Sequence, residues 1–334
     1  MIAESAAVGS TPVAARFFGQ DLAIYRGASG RVVVLDAYCP HMGTHLAMNS
    51  TSYVCRDGAI EGDSIRCPYH AWRFGPDGRC DDIPYLQGPI PAAAKIRSWL
   101  VAESMGAIFV WHDPEAGAPD YDVPRLSEWE DPAWVRWRFD ELGPLVCHPQ
   151  EIIDNMADVA HFPYVHGSNP NYAYFENEVR GHVLKMRYGA GHRTLASGDA
   201  ILDSDVWYTG PGILMSRQQG IHNSIQMITH TPIDDGVVKI WHALLVRGQG
   251  AVATDEDVAA ARANQAANLV AFTQDFEIWG NKRPALAILQ LPADGPFHAV
   301  RAWYRQFFNP RGSIPHTGID GIYTVRGKQN MGAR

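Results

Sequence analysis

The sequence predicts an α+β chain in which a small antiparallel β-domain precedes a larger domain of helices packed on an antiparallel sheet. Three observations carry this. From Arg16 to about Trp111, short β-branched and aromatic runs such as "LAIYRG", "RVVVLDAY" and "GAIFVWHD" alternate with turn clusters such as "GASGR" and "GPDGR". The stretch "DPEAGAPDYDVP", residues 113–124, holds prolines and acids that cannot bury a face, and it reads as a linker. Beyond it, strand-like runs over about 179–247 lie between a helix candidate at about 148–162 and a long helix opening at Thr254. The expected division is 1–112, a linker at 113–124, and 125–334.

The long helix has the clearest ends. Thr254 and Asp257 are spaced as a capping pair before "VAAARANQAANLVAFTQDFEIWGNK", and Pro284 stops it. No internal repeat or low-complexity tract interrupts either region.

Bulk composition narrows the function classes. The chain has 334 residues, 46% hydrophobic and 19% charged, which is enough for two domains with real cores. Its net charge of −8 leaves no clustered basic surface for nucleic acid. No run of eighteen uncharged apolar residues exists, and "MIAESAAVGSTPVAARFF" has no basic start before an apolar stretch. A membrane span or secretory signal is therefore not expected, and a cytoplasmic location is. The five cysteines (39, 55, 67, 80 and 147) read as reduced thiols.

The chemistry is concentrated in "CPHMGTHLAMNSTSYVCRDGAIEGDSIRCPYH", from Cys39 to His70. Two short loops each offer one thiol and one imidazole: Cys39 with His41, and Cys67 with His70. One zinc ion would accept such a set, although structural zinc loops more often use Cys-x-x-Cys pairs. A Rieske [2Fe–2S] cluster asks for this set directly, with two thiolates on one iron and two imidazoles on the other. Pro40, Gly43, Pro68 and Gly75 suit tight loops around it. Cys55 and Cys80 are read as structural thiols.

"CPHMGTHLA" and "RCPYHAWRFGPDGRCDDIPY" together resemble the N-terminal domain of the Rieske non-haem iron oxygenases. That resemblance implies a helix-grip, START-like second domain carrying a mononuclear Fe(II). "EIIDNMADVAHFPYVHG" supplies His161 and His166, with Pro163 expected to break the helix between them. A spacing of three places Asn155, Asp158 and His161 on one helix face, with Asp158 suited to orient an imidazole. The resemblance offers Asp275 in "QDFEIWGNK" as the third iron ligand, with Glu277 as runner-up; one carboxylate beside two histidines leaves positions open for O₂ and substrate. Asn155 would support the site. The other histidines (45, 112, 148, 182, 192, 222, 230, 242, 298 and 316) are read as structural or surface groups.

Within the family, these blocks and "RAWYRQFF" are similar to the 3-ketosteroid 9α-hydroxylase oxygenases over roughly residues 35–308. The resemblance implies a monooxygenase of steroid catabolism acting on a steroid or other polycyclic apolar substrate. It also implies a flavin and iron–sulfur reductase delivering electrons from NADH. It further implies a head-to-tail homotrimer in which Asp158 links His70 of one subunit to His161 of the next. Relatives include sterol desaturases. A hydroxylase or O-demethylase of smaller aromatic acids would use a buried Arg217 or Lys239. A Rieske electron carrier fused to a ligand-binding domain would need no iron triad. The aromatic runs "DVWYTGPGILMS", "NSIQMITH" and "KIWHALLV" would line either an apolar pocket or an ordinary core. Two departures stand out: an insertion "NSTSYVCRDG" (49–58), and a first strand so close to Met1 that the domain is either trimmed or truncated.

Overall fold

A computed structural model describes residues 1–168, 172–193, 195–196, 200–291, 294–310 and 320–324 of the chain; His316 lies outside them. The residues form two compact units, Met1–Val123 with Ile233–Asp235, and Pro124–Pro232 with Gly236–Arg334.

The first unit is built from short strands. Strands β2 (Val13–Phe17), β3 (Gln20–Arg26) and β4 (Val32–Asp36) form one sheet, and β1 (Ala3–Glu4) pairs with β10 (Ala107–Trp111), which pairs with β9 (Leu100–Ser104). A four-stranded sheet holds β5 (Ile60–Glu61), β6 (Ser64–Arg66), β7 (Arg73–Phe74) and β8 (Cys80–Asp82). Tyr25, Leu35, Leu46, Ile65 and Phe74 close a core around Cys39 and Cys67. The expected insertion carries α1 (Tyr53–Asp57), capped by the Ser52 side chain.

The segment read as a linker is not wholly without burial. Asp113 is 4% exposed, because its carboxylate accepts the amides of Glu115 and Gly117 and closes a local turn.

The second unit is one large sheet with helices against it. Its strands are β11 (Trp134–Val135), β12 (Asp140–Val146), β13 (Tyr174–Arg180), β14 (Val183–Gly191), β15 (Ile201–Thr209), β16 (Ile213–Gln219), β17 (Asn223–Asp234), β18 (Val237–Arg247) and β19 (Gly321–Thr324). The order is β11-β18-β17-β16-β15-β14-β13-β19, with β12 also on β18. The strands alternate, so along β15 Leu202, Ser204, Val206 and Tyr208 share one face. Strand β12 escapes sequence reading because Gly143 and Pro144 interrupt it and its register shifts between Leu142 and Leu145.

The helix expected at 148–162 is three pieces. These are α2 (Pro149–Ile153), a 3₁₀ turn (Asp154–Met156) and, after a break, α3 (His161–Val165). Asn155, Asp158 and His161 therefore do not share a helix face. The break is held from outside, since Gly295 packs so closely that a Cβ there would lie 1.5 Å from the Ala157 carbonyl oxygen. Pro163 does not break the helix either. It occupies the first turn of α3, where a missing N–H leaves no bond unmade.

Helix α4 (Asp255–Gly280) is the expected long helix. Thr254 and Asp257 make a full capping box, and the helix ends at Gly280, before Pro284. Helix α5 (Phe297–Arg305) was not foreseen in the sequence; its Arg301 pairs with buried Asp154 at 2.6 Å and fixes the 3₁₀ turn.

Candidate metal centres

In the first unit, the two loops repeat one design. Cys39 N–H donates to Thr44 O (3.0 Å) and Gly43 N–H to Cys39 O (2.9 Å); Cys67 N–H donates to Trp72 O (2.8 Å) and Ala71 N–H to Cys67 O (3.0 Å). The left-handed turn falls on Gly43 (φ 71°) in one loop and on Ala71 (φ 59°) in the other. The counterpart of Gly43 is thus Ala71, a strained position for an alanine, while Gly75 lies past the loop, in the turn between β7 and β8.

These loops put like donors together. Cys39 and Cys67 are both buried and hydrogen-bonded to each other, which holds the Cys67 thiol down to about 6 while Cys39 is raised. His41 and His70 stand at the other end with ring centroids 4.7 Å apart, and Trp72 stacks on His41 at 4.6 Å. A zinc ion would draw its four donors to within about 3.5 Å of one another. Among the described residues, however, only one group gathers three donors within 4.8 Å, and it lies elsewhere. A thiol end and an imidazole end fit a two-iron cluster instead.

The close group is His161, His166 and Asp275. His166 Nε2 lies 3.2 Å from Asp275 Oδ2, and His161 Nε2 lies 3.8 Å from Asp275 Oδ1. Helix α3 carries the first histidine, the C-cap residue that follows it is the second, and α4 carries the carboxylate. Glu277 is exposed, turned away by two helical residues.

Both imidazoles are oriented from behind. His166 Nδ1 meets Gln274 Oε1 at 3.0 Å, and His161 Nδ1 contacts the Asp158 carbonyl oxygen, so each Nε2 lone pair is left for a cation. Burial disfavours charge on His166, yet Asp275 outweighs it and raises the imidazole above its ordinary value. Burial likewise works against the Asp158 carboxylate, but His161 and the amides of His161 and Ala160 hold its pKa below the usual range. Gln274 has no sequence signal beyond its place beside Asp275.

The triad opens on a cavity, and about 920 Å³ of empty space lies in it and before its mouth, open solvent included. Asn155 lines it, and so do Phe162, Tyr188, Phe272 and Trp279. Alternation decides which aromatic-run residues reach it: Val206, Tyr208, Leu214 and Ile228 do, whereas Trp207, Met215 and Met227 do not. The run at Lys239–Val246 gives none. His192, read as structural, also lines the cavity, 6.0 Å from the His166 ring; its Nδ1 accepts the Leu195 amide, and burial takes it down to about 4. Arg217 pairs with Glu128 at 2.6 Å and Lys239 with Glu141, and neither lines the cavity.

Comparison with known proteins agrees with this geometry. The Rieske [2Fe-2S] domain family matches residues 1–99, and the 3-Ketosteroid 9alpha-hydroxylase C-terminal domain family matches residues 110–308. A probable 3-ketosteroid-9-alpha-monooxygenase oxygenase component of Rhodococcus rhodochrous is 34% identical over 307 residues, 87% of this chain and 74% of the relative. The oxygenase component of the same name from Mycolicibacterium smegmatis is 33% identical over 312 residues, 89% and 78%. Among solved structures, dicamba monooxygenase bound to dicamba has a TM-score of 0.69 at 20% identity, covering 91% of this chain and 95% of that one, and so shares the fold.

The fold and its two donor sets define a Rieske non-haem iron monooxygenase, an enzyme whose cofactors are a [2Fe–2S] cluster and a non-haem iron. Within that class, the chain belongs to the family of 3-ketosteroid 9α-hydroxylase oxygenase components.

Proposed function

We propose that this oxygenase hydroxylates a steroid in the cytoplasm as a homotrimer. Its cluster is held by Cys39, His41, Cys67 and His70, and its ferrous ion by His161, His166 and Asp275. The carrying observation is that the three-donor triad faces an apolar cavity with no Arg or Lys among its described lining residues. A carboxylate substrate would find no cation there, which speaks against the aromatic-acid reading. A pure electron carrier would have no use for the triad.

When bound, the cluster supplies single electrons and the ferrous ion supplies open positions for O₂ and substrate. The residues do the rest. Gln274 and the Asp158 carbonyl hold the two imidazoles in the ligating tautomer, and Phe162, Phe272 and Trp279 keep water from the substrate face. Inserting one oxygen atom and reducing the other to water consumes two electrons and two protons, so a separate reductase must feed the chain. NADH through a flavin and iron–sulfur reductase meets that need. The Asp158 side chain reaches His161 while remaining one-third exposed, which suits a link from a neighbouring subunit's His70.

The test is anaerobic purification with iron and zinc analysis and low-temperature EPR, on wild type and His161→Ala. About three irons per chain, falling to about two in the variant with the Rieske signal intact, is expected. The protein is then supplied with reductase, NADH and a 3-ketosteroid, and a hydroxylated product is expected. A single zinc, or two irons in both proteins, would defeat the proposal.

A further inference from the structure

Tyr208 and His230 form a buried pair at the edge of the cavity. The Tyr208 ring lines the cavity, and its hydroxyl lies 3.0 Å from His230 Nε2. Tyr208, Leu214 and Ile228 stand in one row across β15, β16 and β17, and His230 follows Ile228 on the same face. The turn Gly210–Gly212 between β15 and β16 permits the approach, because a Cβ on Gly212 would lie 2.8 Å from the His230 carbonyl oxygen. Two side chains from different strands, in residues 0% and 2% exposed, are thus held at bonding distance.

Burial takes His230 down to about 3 and raises the Tyr208 phenol above its ordinary value, so both groups are neutral and the phenol keeps the shared proton. Nε2 accepts it, and Nδ1, which then carries the imidazole's own hydrogen, has no partner among the described residues. A buried polar group left in that condition calls for a reason, and a redox role is one. Tyr188, the other tyrosine of the wall, has no base hydrogen-bonded to its buried hydroxyl. Trp303, 6.1 Å from the Tyr208 ring, gives its N–H to the Gly181 carbonyl oxygen, which is no base. An oxidised phenol or indole is a strong acid, so of the three only Tyr208 can hand its proton to a base as it loses an electron.

We infer that Tyr208 and His230 form a one-electron guard for the cavity, which reduces an oxygen-derived oxidant that arises there when no substrate is bound. The inference rests on reading His161, His166 and Asp275 as the iron site that faces this cavity. In the step the phenolic O–H bond breaks: the electron goes to the oxidant, the proton goes to His230 Nε2, and a neutral phenoxyl radical and an imidazolium remain. Solvent protons complete the water that the oxidant becomes. One electron from the reductase supply, with the proton returned from Nε2, restores the pair. Electron transfer needs no contact with the oxidant, whereas attack on a C–H bond of the wall does, so the guard competes by reach.

EPR on the metal-loaded protein, mixed anaerobically with hydrogen peroxide in the absence of substrate and then frozen, tests this. Wild type is expected to give a tyrosyl radical signal that narrows when ring-deuterated tyrosine is incorporated. Tyr208→Phe, which keeps the ring, loses that signal, and oxygen adducts on the wall residues Phe162 and Phe272 rise several-fold in peptide mass spectra. His230→Leu keeps the phenol but removes the base, and the signal falls at least about ten-fold. Normal iron content with no tyrosyl signal in wild type, or an undiminished signal in Tyr208→Phe, would overturn the guard alone. His161→Ala is expected to lose the signal together with its iron; iron and signal both unchanged in that variant would instead sink the reading of the triad, and the guard with it.

Discussion

Gln274 stands next to Asp275, the carboxylate proposed as an iron ligand, and does a different job, since its side-chain oxygen meets His166 Nδ1 and fixes the tautomer of that imidazole. Gln274→Leu should lower ferrous affinity about 10- to 100-fold in chelator competition, and Gln274→Glu should largely restore it. Unaltered affinity in the leucine variant would remove the orienting role. A pH dependence follows from His166 itself. Because Asp275 raises its pKa, the metal-free pair stabilises the fold below the ordinary histidine value, and that contribution is lost as pH rises through the raised value. A ferrous ion must displace this proton, so affinity should weaken from about pH 8 to about pH 6 in anaerobic titrations; a flat profile would contradict it. The Cys/His loops were legible in the sequence because scarce residue types recur there at short spacing. Gln274 and His192 were not, because a single hydrogen bond or a place in a cavity wall exists only after α4 and β14 have packed.

Helix α4 shows what an element needs in order to be read in advance. Its capping box, Thr254 with Asp257, is local and therefore visible in sequence. Thr254→Ala should cost about 1 kcal/mol and lower the melting temperature by about 2–4 °C in a thermal scan. Iron content should not change, since Asp275 lies far along the helix; a loss of iron would mean that fraying reaches the site. The helix expected at 148–162 failed for the opposite reason. Its residues alone permit a continuous helix, but Gly295 pressed on Ala157 and Arg301 paired with Asp154 impose a break from distant parts of the chain. That break lets His161 start a new helix and turn its imidazole to the same point as His166.

For the whole molecule, the division of labour between two metal groups makes electron delivery the vulnerable step. In Asp158→Ala, both groups should remain bound by iron analysis and EPR, while reoxidation of the reduced protein with O₂ and substrate slows at least about 100-fold. Rapid reoxidation would remove Asp158 from the path. No helix among the described residues is long and apolar enough to cross a membrane. The paired loops of the first unit have a consequence for how that unit tolerates change. Each offers one thiol and one imidazole, so a cluster held by both, as proposed, would join two places in the folded chain and close the intervening segment into a ring. Closure entropy grows only with the logarithm of ring length, so lengthening that ring is cheap. Helix α1, with Tyr53 three-quarters exposed, sits inside it. The segment around α1 can therefore grow or change its surface with little penalty to the redox centre it encircles.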